Sequence, residues 1–380
     1  MRLVLTASVL LLLAVPHLPA QEAVRFAAIG DYGRAGQPEL DVANLVASWS
    51  PDFVITLGDN NYETGSATTI DQNIGQYYHA FIAPYTGSYG AGDTVNRFFP
   101  SLGNHDWGTA GALPYRNFFT LPGNERYYDF ARGPVHFFAI DSDTNEPDGR
   151  TVSSVQAQWL QAGLAAAAEP WKLVYFHHPP YSSGTVHGPT YVMRWPFEAW
   201  GATAVLAGHE HIYERILTGG IVYFTNGLGG RSLYPVGSPT AGSAALYNAD
   251  YGAMLVTASS DSIIFEFRTR TDSLIDRYAI GLAPSAVAPE GRAAAFNLSQ
   301  NYPNPFNPST TLTVVLRQRS YMRLDIVNPL GEVIALLREG AEDAGEYRTT
   351  WDAGSLPTGV YWARLRNGTQ AVVRKLLLVR

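Results

Sequence analysis

Short apolar runs recur from Val24 to about Ile280, separated by stretches in which apolar residues return every third or fourth position. The runs Val24–Ile29, Phe53–Leu57, Val135–Ile140, Leu173–Phe176, Ala204–Ala207 and Ile221–Thr225 predict buried strands. The wider spacing predicts helices over Pro38–Trp49, Ile70–Ile82 and Ser153–Ala168, the last with Val155, Trp159, Leu160 and Leu164 on one face. Ala253–Ala258 and Ser262–Thr269 read as an antiparallel pair closing the domain. Strands alternating with helices define an α/β class with buried sheets, in which ligands gather in loops at the C-terminal ends of strands.

The pattern changes at both ends. Arg2 precedes an apolar stretch from Leu3 to Val15, then Pro16 and Leu18-Pro19-Ala20. This matches a secretory signal peptide over residues 1–20, and the stretch falls short of the roughly 20 residues that span a bilayer. Residues 21–281 form the α/β domain. Residues 282–296, dominated by Ala, Pro, Gly and Ser, read as a linker. Beyond it, Thr310–Leu316, Met322–Val327, Val333–Leu337, Tyr347–Trp351, Gly359–Arg364 and Val372–Val379 predict closely spaced strands. Asn328-Pro329-Leu330-Gly331 and Pro357-Thr358-Gly359 supply turns, so 297–380 reads as a small β-sandwich.

Five short motifs follow apolar runs in order: Gly30-Asp31-Tyr32-Gly33, Gly58-Asp59-Asn60-Asn61-Tyr62, Gly103-Asn104-His105-Asp106, Val174-Tyr175-Phe176-His177 and Gly208-His209-Glu210-His211. Each would bring a metal-binding group to a loop at a strand end. Asp59 and Tyr62 are three residues apart, so both could face one centre. Carboxylate and phenolate oxygens are hard donors suited to Fe3+, whereas the amide of Asn104 and the imidazoles of His177 and His209 suit a divalent transition ion. In an extended segment His209 and His211 point the same way, and two neighbouring ions could take one imidazole each. One Gly-Asp or one His pair is ordinarily a turn or a core histidine; five in order favour a bimetal site.

Fe3+ and a divalent ion bring five positive charges, and Asp31, Asp59, ionised Tyr62 and a bridging hydroxide remove four. The surplus of about +1 suits a phosphate-ester oxyanion, and a bound water whose pKa falls from 15.7 toward about 7 suits in-line attack on phosphorus. His105, beside Asn104, and His187, in the Ser182–Gly188 loop, are candidates to hold the phosphoryl group or protonate the departing alkoxide. His105 could instead support a ligand by hydrogen bonding, and His187 could be a plain surface histidine. His178 neighbours His177 and could exchange with it as ligand. His79 and His136 read as structural; Asp106, Glu210, Asp141 and Asp143 read as supports of ligands rather than ligands.

Composition narrows the choice. The formal net charge of -7 argues against an electrostatic grip on nucleic acid, and the absence of cysteine excludes disulfides and thiolate metal sites.

The motifs resemble those of the purple acid phosphatases, within the calcineurin-like metallophosphoesterases. The wider family usually begins with Asp-x-His; here Asp31-Tyr32-Gly33 lacks the His, and Tyr62 of Gly-Asp-x-x-Tyr replaces it, the mark of the purple branch. The resemblance implies an αββα sandwich over Val24 to Ile280. It implies Fe3+ bound by Asp31, Asp59, Tyr62 and His211, and a second ion (Fe2+, Zn2+ or Mn2+) bound by Asp59, Asn104, His177 and His209, with Asp59 bridging. His177-His178-Pro179-Pro180-Tyr181-Ser182 through His187-Gly188-Pro189-Thr190 resembles the small tartrate-resistant animal form, which implies substrate binding by His105 and His187. Trp107 departs from that form, which carries another His there.

Residues 297–380 resemble the C-terminal sorting domain of the type IX secretion system, through Tyr302-Pro303-Asn304-Pro305-Phe306-Asn307-Pro308, Leu356-Pro357-Thr358-Gly359-Val360-Tyr361 and the terminal Lys375-Leu376-Leu377-Leu378-Val379. An Ig-like accessory or carbohydrate-binding module is the alternative, since both are β-sandwiches. Together these features imply export through the periplasm of a Gram-negative-type bacterium to the cell surface or medium by the type IX machinery, with no transmembrane segment in the mature chain. The expected activity is acid phosphatase action on small phosphomonoesters. A phosphodiesterase or nucleotidase with the same metals, or a catalytically silent surface binding protein, are the alternatives.

Overall fold

The computed structural model describes residues 23–281, 296–328, 332–367 and 370–379. The expected signal peptide and nearly all of the expected linker therefore lie outside the described residues. Two compact units divide at Ile280 and Gly281.

The first unit contains strands β1 (Val24–Ile29), β2 (Phe53–Thr56), β3 (Phe98–Pro100), β4 (Tyr128–Arg132), β5 (Val135–Ala139), β6 (Trp171–Tyr175) and β7 (Ala204–Ala207). They are followed by β8 (Tyr213–Thr218), β9 (Ile221–Asn226), β10 (Ser243–Tyr247), β11 (Gly252–Ala258), β12 (Ser262–Thr269) and β13 (Leu274–Gly281). Its two long helices are α1 (Gln37–Ser48) and α3 (Val155–Ala166), with the shorter α2 (Leu113–Phe118) between them in the chain. One sheet runs β13-β12-β11-β1-β2-β3 and the other β10-β8-β9-β7-β6-β5-β4. Within them β1-β2-β3 and β5-β6-β7-β9 are parallel.

Alternation along the second sheet explains the layering. Val135, Phe137, Leu173, Tyr175, Leu206 and Phe224 join the core shared with the first sheet. Phe138, Val174, Val205 and Tyr223 face the other way, onto Leu160 and Leu164 of α3. Phe26 and Phe53 meet the Phe137 ring edge-on across the sheets, at 5.0 and 5.3 Å between centroids, a favoured aromatic geometry. Val42, Leu45 and Val46 of α1 join the same core and cover the first sheet's outer side. The result is an αββα sandwich, in which the parallel strands are buried on both faces, as near-continuous apolar runs require.

Two helix readings need correction. In α3, Val155 is 61% exposed; the inward positions are Gln156, Ala157, Leu160 and Leu164. Gln156 turns inward because its amide joins Asp141 N, Asp141 O and Gly149 O. The stretch 70–82 is not one helix but a π turn (Asp71–Gly75), a helical turn (Gln76–Tyr78) and a 3-10 turn (His79–Phe81). Ile70, Ile74 and Tyr78 remain buried at helical spacing. The π turn coincides with Asn73, whose side chain takes the Ala35 amide and donates to Asn61 Oδ1 and Tyr62 O. Such turns often mark functional regions, and this one anchors the loop carrying Tyr62.

The second unit is a β-sandwich. One sheet pairs β14 (Phe296–Leu298), β15 (Ser309–Leu316) and β18 (Gly345–Asp352). The other orders β17 (Val333–Glu342), β16 (Ser320–Val327), β19 (Gly359–Asn367) and β20 (Gln370–Leu378). Leu312, Val314, Leu324, Ile326, Trp351, Tyr361, Leu365 and Leu376 fill the space between them. The Pro-Asn-Pro-Phe-Asn-Pro segment ties to the terminal strand: Asn304 Oδ1 accepts Leu377 N at 2.8 Å, and Phe306 N donates to Leu377 O at 2.9 Å.

Candidate metal centre

All five motifs lie at C-terminal strand ends: Asp31 after β1, Asp59 and Tyr62 after β2, Asn104 and His105 after β3, His177 after β6, and His209 and His211 after β7. Three donors sit in left-handed backbone, with φ of 55° at Asp31, 54° at Asp59 and 69° at His209. Asp and His tolerate this region better than most residues, and such strain concentrates at functional sites. The His209–His211 segment is therefore a bend, not the extended stretch expected from the sequence. The glycines make room for ligands from other motifs. A Cβ on Gly58 would lie 2.6 Å from His177 Nδ1, and one on Gly208 would lie 2.6 Å from Asp31 Oδ2.

The side chains form two adjoining groups. In one, Tyr62 OH lies 3.1 Å from Asp31 Oδ1, 3.0 Å from Asp59 Oδ2 and 3.4 Å from His211 Nε2, which is 3.2 Å from Asp31 Oδ1. In the other, His177 Nε2 lies 3.2 Å from Asp59 Oδ2, 3.1 Å from Asn104 Oδ1 and 3.1 Å from His209 Nδ1. Asp59 Oδ2 belongs to both.

The donor set fits cations. His177 Nδ1 is 2.8 Å from Leu57 O, a carbonyl that can only accept, so Nδ1 carries a proton. In the neutral ring Nε2 is then a bare lone pair, yet it faces a carboxylate oxygen, an amide oxygen and another imidazole nitrogen. Acceptors crowd acceptors, and a positive ion between them removes the conflict. The protein's own charges show the same need. Burial favours the neutral His177 ring, but Asp59 and Asp31 outweigh it and push its pKa up to about 10. Burial, then the Asp31 and Asp59 charges, push the Tyr62 phenol well above its ordinary range. Asp31, Asp59 and His177 bring ligand atoms within 4.8 Å of one another, as do His177, His178 and His209, close enough to share an ion.

The surroundings hold the donors in place. Asp31 Oδ2 accepts His209 N at 2.8 Å, and Asp59 Oδ1 accepts His105 N at 2.9 Å. Asp106 does not reach the donors; its Oδ2 accepts amides of Gly103 and Asn60, and burial followed by the Asp59 charge pushes its pKa up to about 7. Asp141 bonds Trp107 Nε1 at 2.8 Å, which fixes that indole. His178 Nδ1 is engaged by Ser142 Oγ at 2.8 Å. His105 is half-buried, with Nδ1 bonded to Glu63 O and Nε2 at 3.9 Å from Asp59 Oδ2. His187 is exposed and stacks on His209 at 4.2 Å. His79 and His136 lie in other networks, His136 between Asp129 and Glu169.

One contributing loop carried no recognised motif. After β9, Ser232 Oγ bonds His211 Nδ1 at 2.8 Å, Tyr234 stacks on the His211 ring at 3.9 Å, and the Arg231 guanidinium lies 5.1 Å over the Tyr62 ring. The signal available was position: Gly227-Leu228-Gly229-Gly230-Arg231-Ser232 follows a parallel strand of the same sheet.

Residues 24–213 match the calcineurin-like phosphoesterase family. The chain belongs to that family. Residues 300–379 match the secretion system C-terminal sorting domain, which implies type IX secretion. Human tartrate-resistant acid phosphatase type 5 is 26% identical over 252 residues, 55% of this chain and 74% of that one. Among solved structures, the purple acid phosphatase PPD1 of yellow lupin superposes with a TM-score of 0.59 at 18% identity, covering 69% of this chain and 54% of that one. GAP50, the anchor in the inner membrane complex of Plasmodium, gives 0.54 at 18% identity, covering 68% and 89%. These structural likenesses show the shared fold. This phosphoesterase is thus related to purple acid phosphatases and carries a sorting tail that points to export. No helix among the described residues is long and apolar enough to cross a membrane.

Proposed function

We propose that this phosphoesterase is an exported acid phosphatase that hydrolyses small phosphomonoesters at a binuclear centre. The observation that carries the reading is the shared position of Asp59 Oδ2, 3.0 Å from Tyr62 OH and 3.2 Å from His177 Nε2. A single carboxylate oxygen facing both groups suits a bridge between two ions. Asp31, Tyr62 and His211 would complete the hard site, for Fe3+; Asn104, His177 and His209 would complete the softer one, for Fe2+, Zn2+ or Mn2+. Bound there, the ions would supply a nucleophile from water near neutral pH and positive charge for the phosphoryl oxygens.

The chain's own residues have separate tasks. Leu57 O fixes the His177 tautomer and Ser232 orients His211, so each ring presents a nitrogen inward. His105 and His187 flank the donors from opposite motifs and are the groups available to hold a phosphoryl oxygen or hand a proton to the leaving alkoxide. The relatedness to tartrate-resistant acid phosphatase supports the monoester preference. The leader over residues 1–20 and the sorting tail support passage through the periplasm before export.

Metal analysis combined with chromogenic monoester and diester assays tests the reading. Two ions per chain, one of them iron, with monoester turnover well above diester turnover is the expected result. Faster diester cleavage would make it a phosphodiesterase; full occupancy without turnover would leave a binding protein.

A further inference from the structure

The loop that carries His187 is held from beneath by two buried carboxylates. Glu214, on β8, accepts Ser183 N at 2.7 Å and Ser183 Oγ at 2.5 Å, and Ser243 Oγ at 2.6 Å. Glu210, fully buried between His209 and His211, accepts the amide of His187 at 2.6 Å and that of Gly188 on the same Oε1 atom. Its Oε2 has no hydrogen-bond partner among the described residues. The loop packs close onto this carboxylate, since a Cβ on Gly184 would lie 2.8 Å from Glu210 Cγ.

The consequence falls on His187. Its imidazole is exposed and rests on the His209 ring at 4.2 Å and 28°. Two of the contacts that place it come from one dipeptide, the ring of His209 beneath its ring and the carboxylate of Glu210 beneath its amide; the Tyr234 ring adds a third, 5.7 Å away. Two consecutive backbone amides donated to one buried side-chain oxygen hold that stretch of chain at two points. They fix the exposed end of a loop whose other end is already held, with Ser182 and Ser183 buried and Gly237 N donating to Ser183 O at 2.8 Å.

We propose that Glu210 is a positioning residue: it fixes the 187–188 backbone so that the His187 imidazole stands over His209, facing the substrate. The role assigned to His187 is the one given under the proposed function, and the proposal rests on it. Since only Oε1 is used, an amide of the same shape should serve. Oε1 of a glutamine can accept both backbone N–H groups, and its NH2 would occupy the unpartnered Oε2 position.

The test uses the full chain and four variants: Glu210→Gln, Glu210→Ala, His187→Ala and the double variant Glu210→Ala with His187→Ala. Hydrogen exchange of the His187 and Gly188 amides, followed in the metal-free protein, reads the tether directly. Glu210→Ala should speed it roughly tenfold or more, as local opening becomes easier, while Glu210→Gln stays near the parent. In the metal-loaded enzyme, Glu210→Ala should keep both ions and lose as much kcat/KM on an alkyl monoester as His187→Ala. The double variant should be no worse than either single one to within about twofold, the mark of residues acting as one unit. Glu210→Gln should recover most of the loss. Unchanged exchange in Glu210→Ala, multiplying losses in the double variant, or loss of bound metal would each overturn the tether. A silent His187→Ala with faster exchange in Glu210→Ala would instead overturn the role given to His187, so the two failures are told apart.

Discussion

The Tyr62 hydroxyl lies 3.0 Å from Asp59 Oδ2 although the two residues are only three apart in the chain. The left-handed backbone at Asp59 makes this possible, by turning the chain directly after β2 so that phenol and carboxylate meet. Arg231 lies over the same ring and pairs with Glu63 at 2.7 Å, which limits where the phenol can go. If Fe3+ is bound there, the phenolate should give a visible charge-transfer band. Tyr62→Phe should abolish the band, and Arg231→Ala should shift it without removing it. A colourless, fully active protein with two zinc ions would overturn the iron assignment.

His209 and His105 separate binding of metal from handling of substrate. His209→Ala removes a donor next to His177 and should lower bound metal, measured by elemental analysis, together with kcat. His105→Ala should retain both ions and lose roughly 10²–10⁴-fold if the ring acts as a general acid. That loss should shrink with nitrophenolate as leaving group, which needs little protonation. A residue that binds phosphate instead should weaken inhibition by inorganic phosphate and raise KM.

The strand ends were legible because five motifs recur in order, each after an apolar run; any one of them alone reads as a turn or a core histidine. Asp31, Asp59, Tyr62, Asn104, His177, His209 and His211 are all brought to one place by the two sheets. What the sequence hid is of two kinds. Ser232 and Tyr234 act on His211 from a loop with no metal-binding residue in it, so nothing in their local pattern marks them. Val155 was expected to be buried on spacing alone, but Gln156 is drawn inward by its hydrogen bonds to the Asp141 backbone, a tertiary demand no periodicity encodes. The sequence pattern did not reveal the short β3 and β14, the edge strands β4, β10 and β13, or β8, whose apolar residues are interrupted by Glu214 and Arg215, since such strands lack a continuous apolar run.

Export and turnover should separate along the chain. The sorting domain has its own buried core, from Phe296 to Leu378, so removing it takes away no side chain of the donor groups. A chain ending before residue 297 should keep its kcat/KM in vitro and accumulate in the periplasm of the native host. Lost catalysis with intact secretion would favour a substrate-binding module instead.

Glu39 makes a stability prediction away from the metals. It is fully buried in the first turn of α1, and neither carboxylate oxygen has a hydrogen-bond partner among the described residues. Burial raises its pKa well above the ordinary carboxyl range, so the folded chain holds the proton to higher pH than the unfolded chain does. The unfolded chain releases it above ~4.3. Its contribution to stability is therefore complete below that pH and declines as pH rises toward the folded value, by about 1.4 kcal/mol per unit while only the unfolded state titrates. Glu39→Gln cannot titrate. Denaturant unfolding of the metal-free parent and variant at a series of pH values should give a stability difference that is flat below pH ~4 and moves steadily in the variant's favour above it. A difference independent of pH from 4 to 7 would mean that Glu39 is ionised in the folded chain and has found a cation or water to hold its charge.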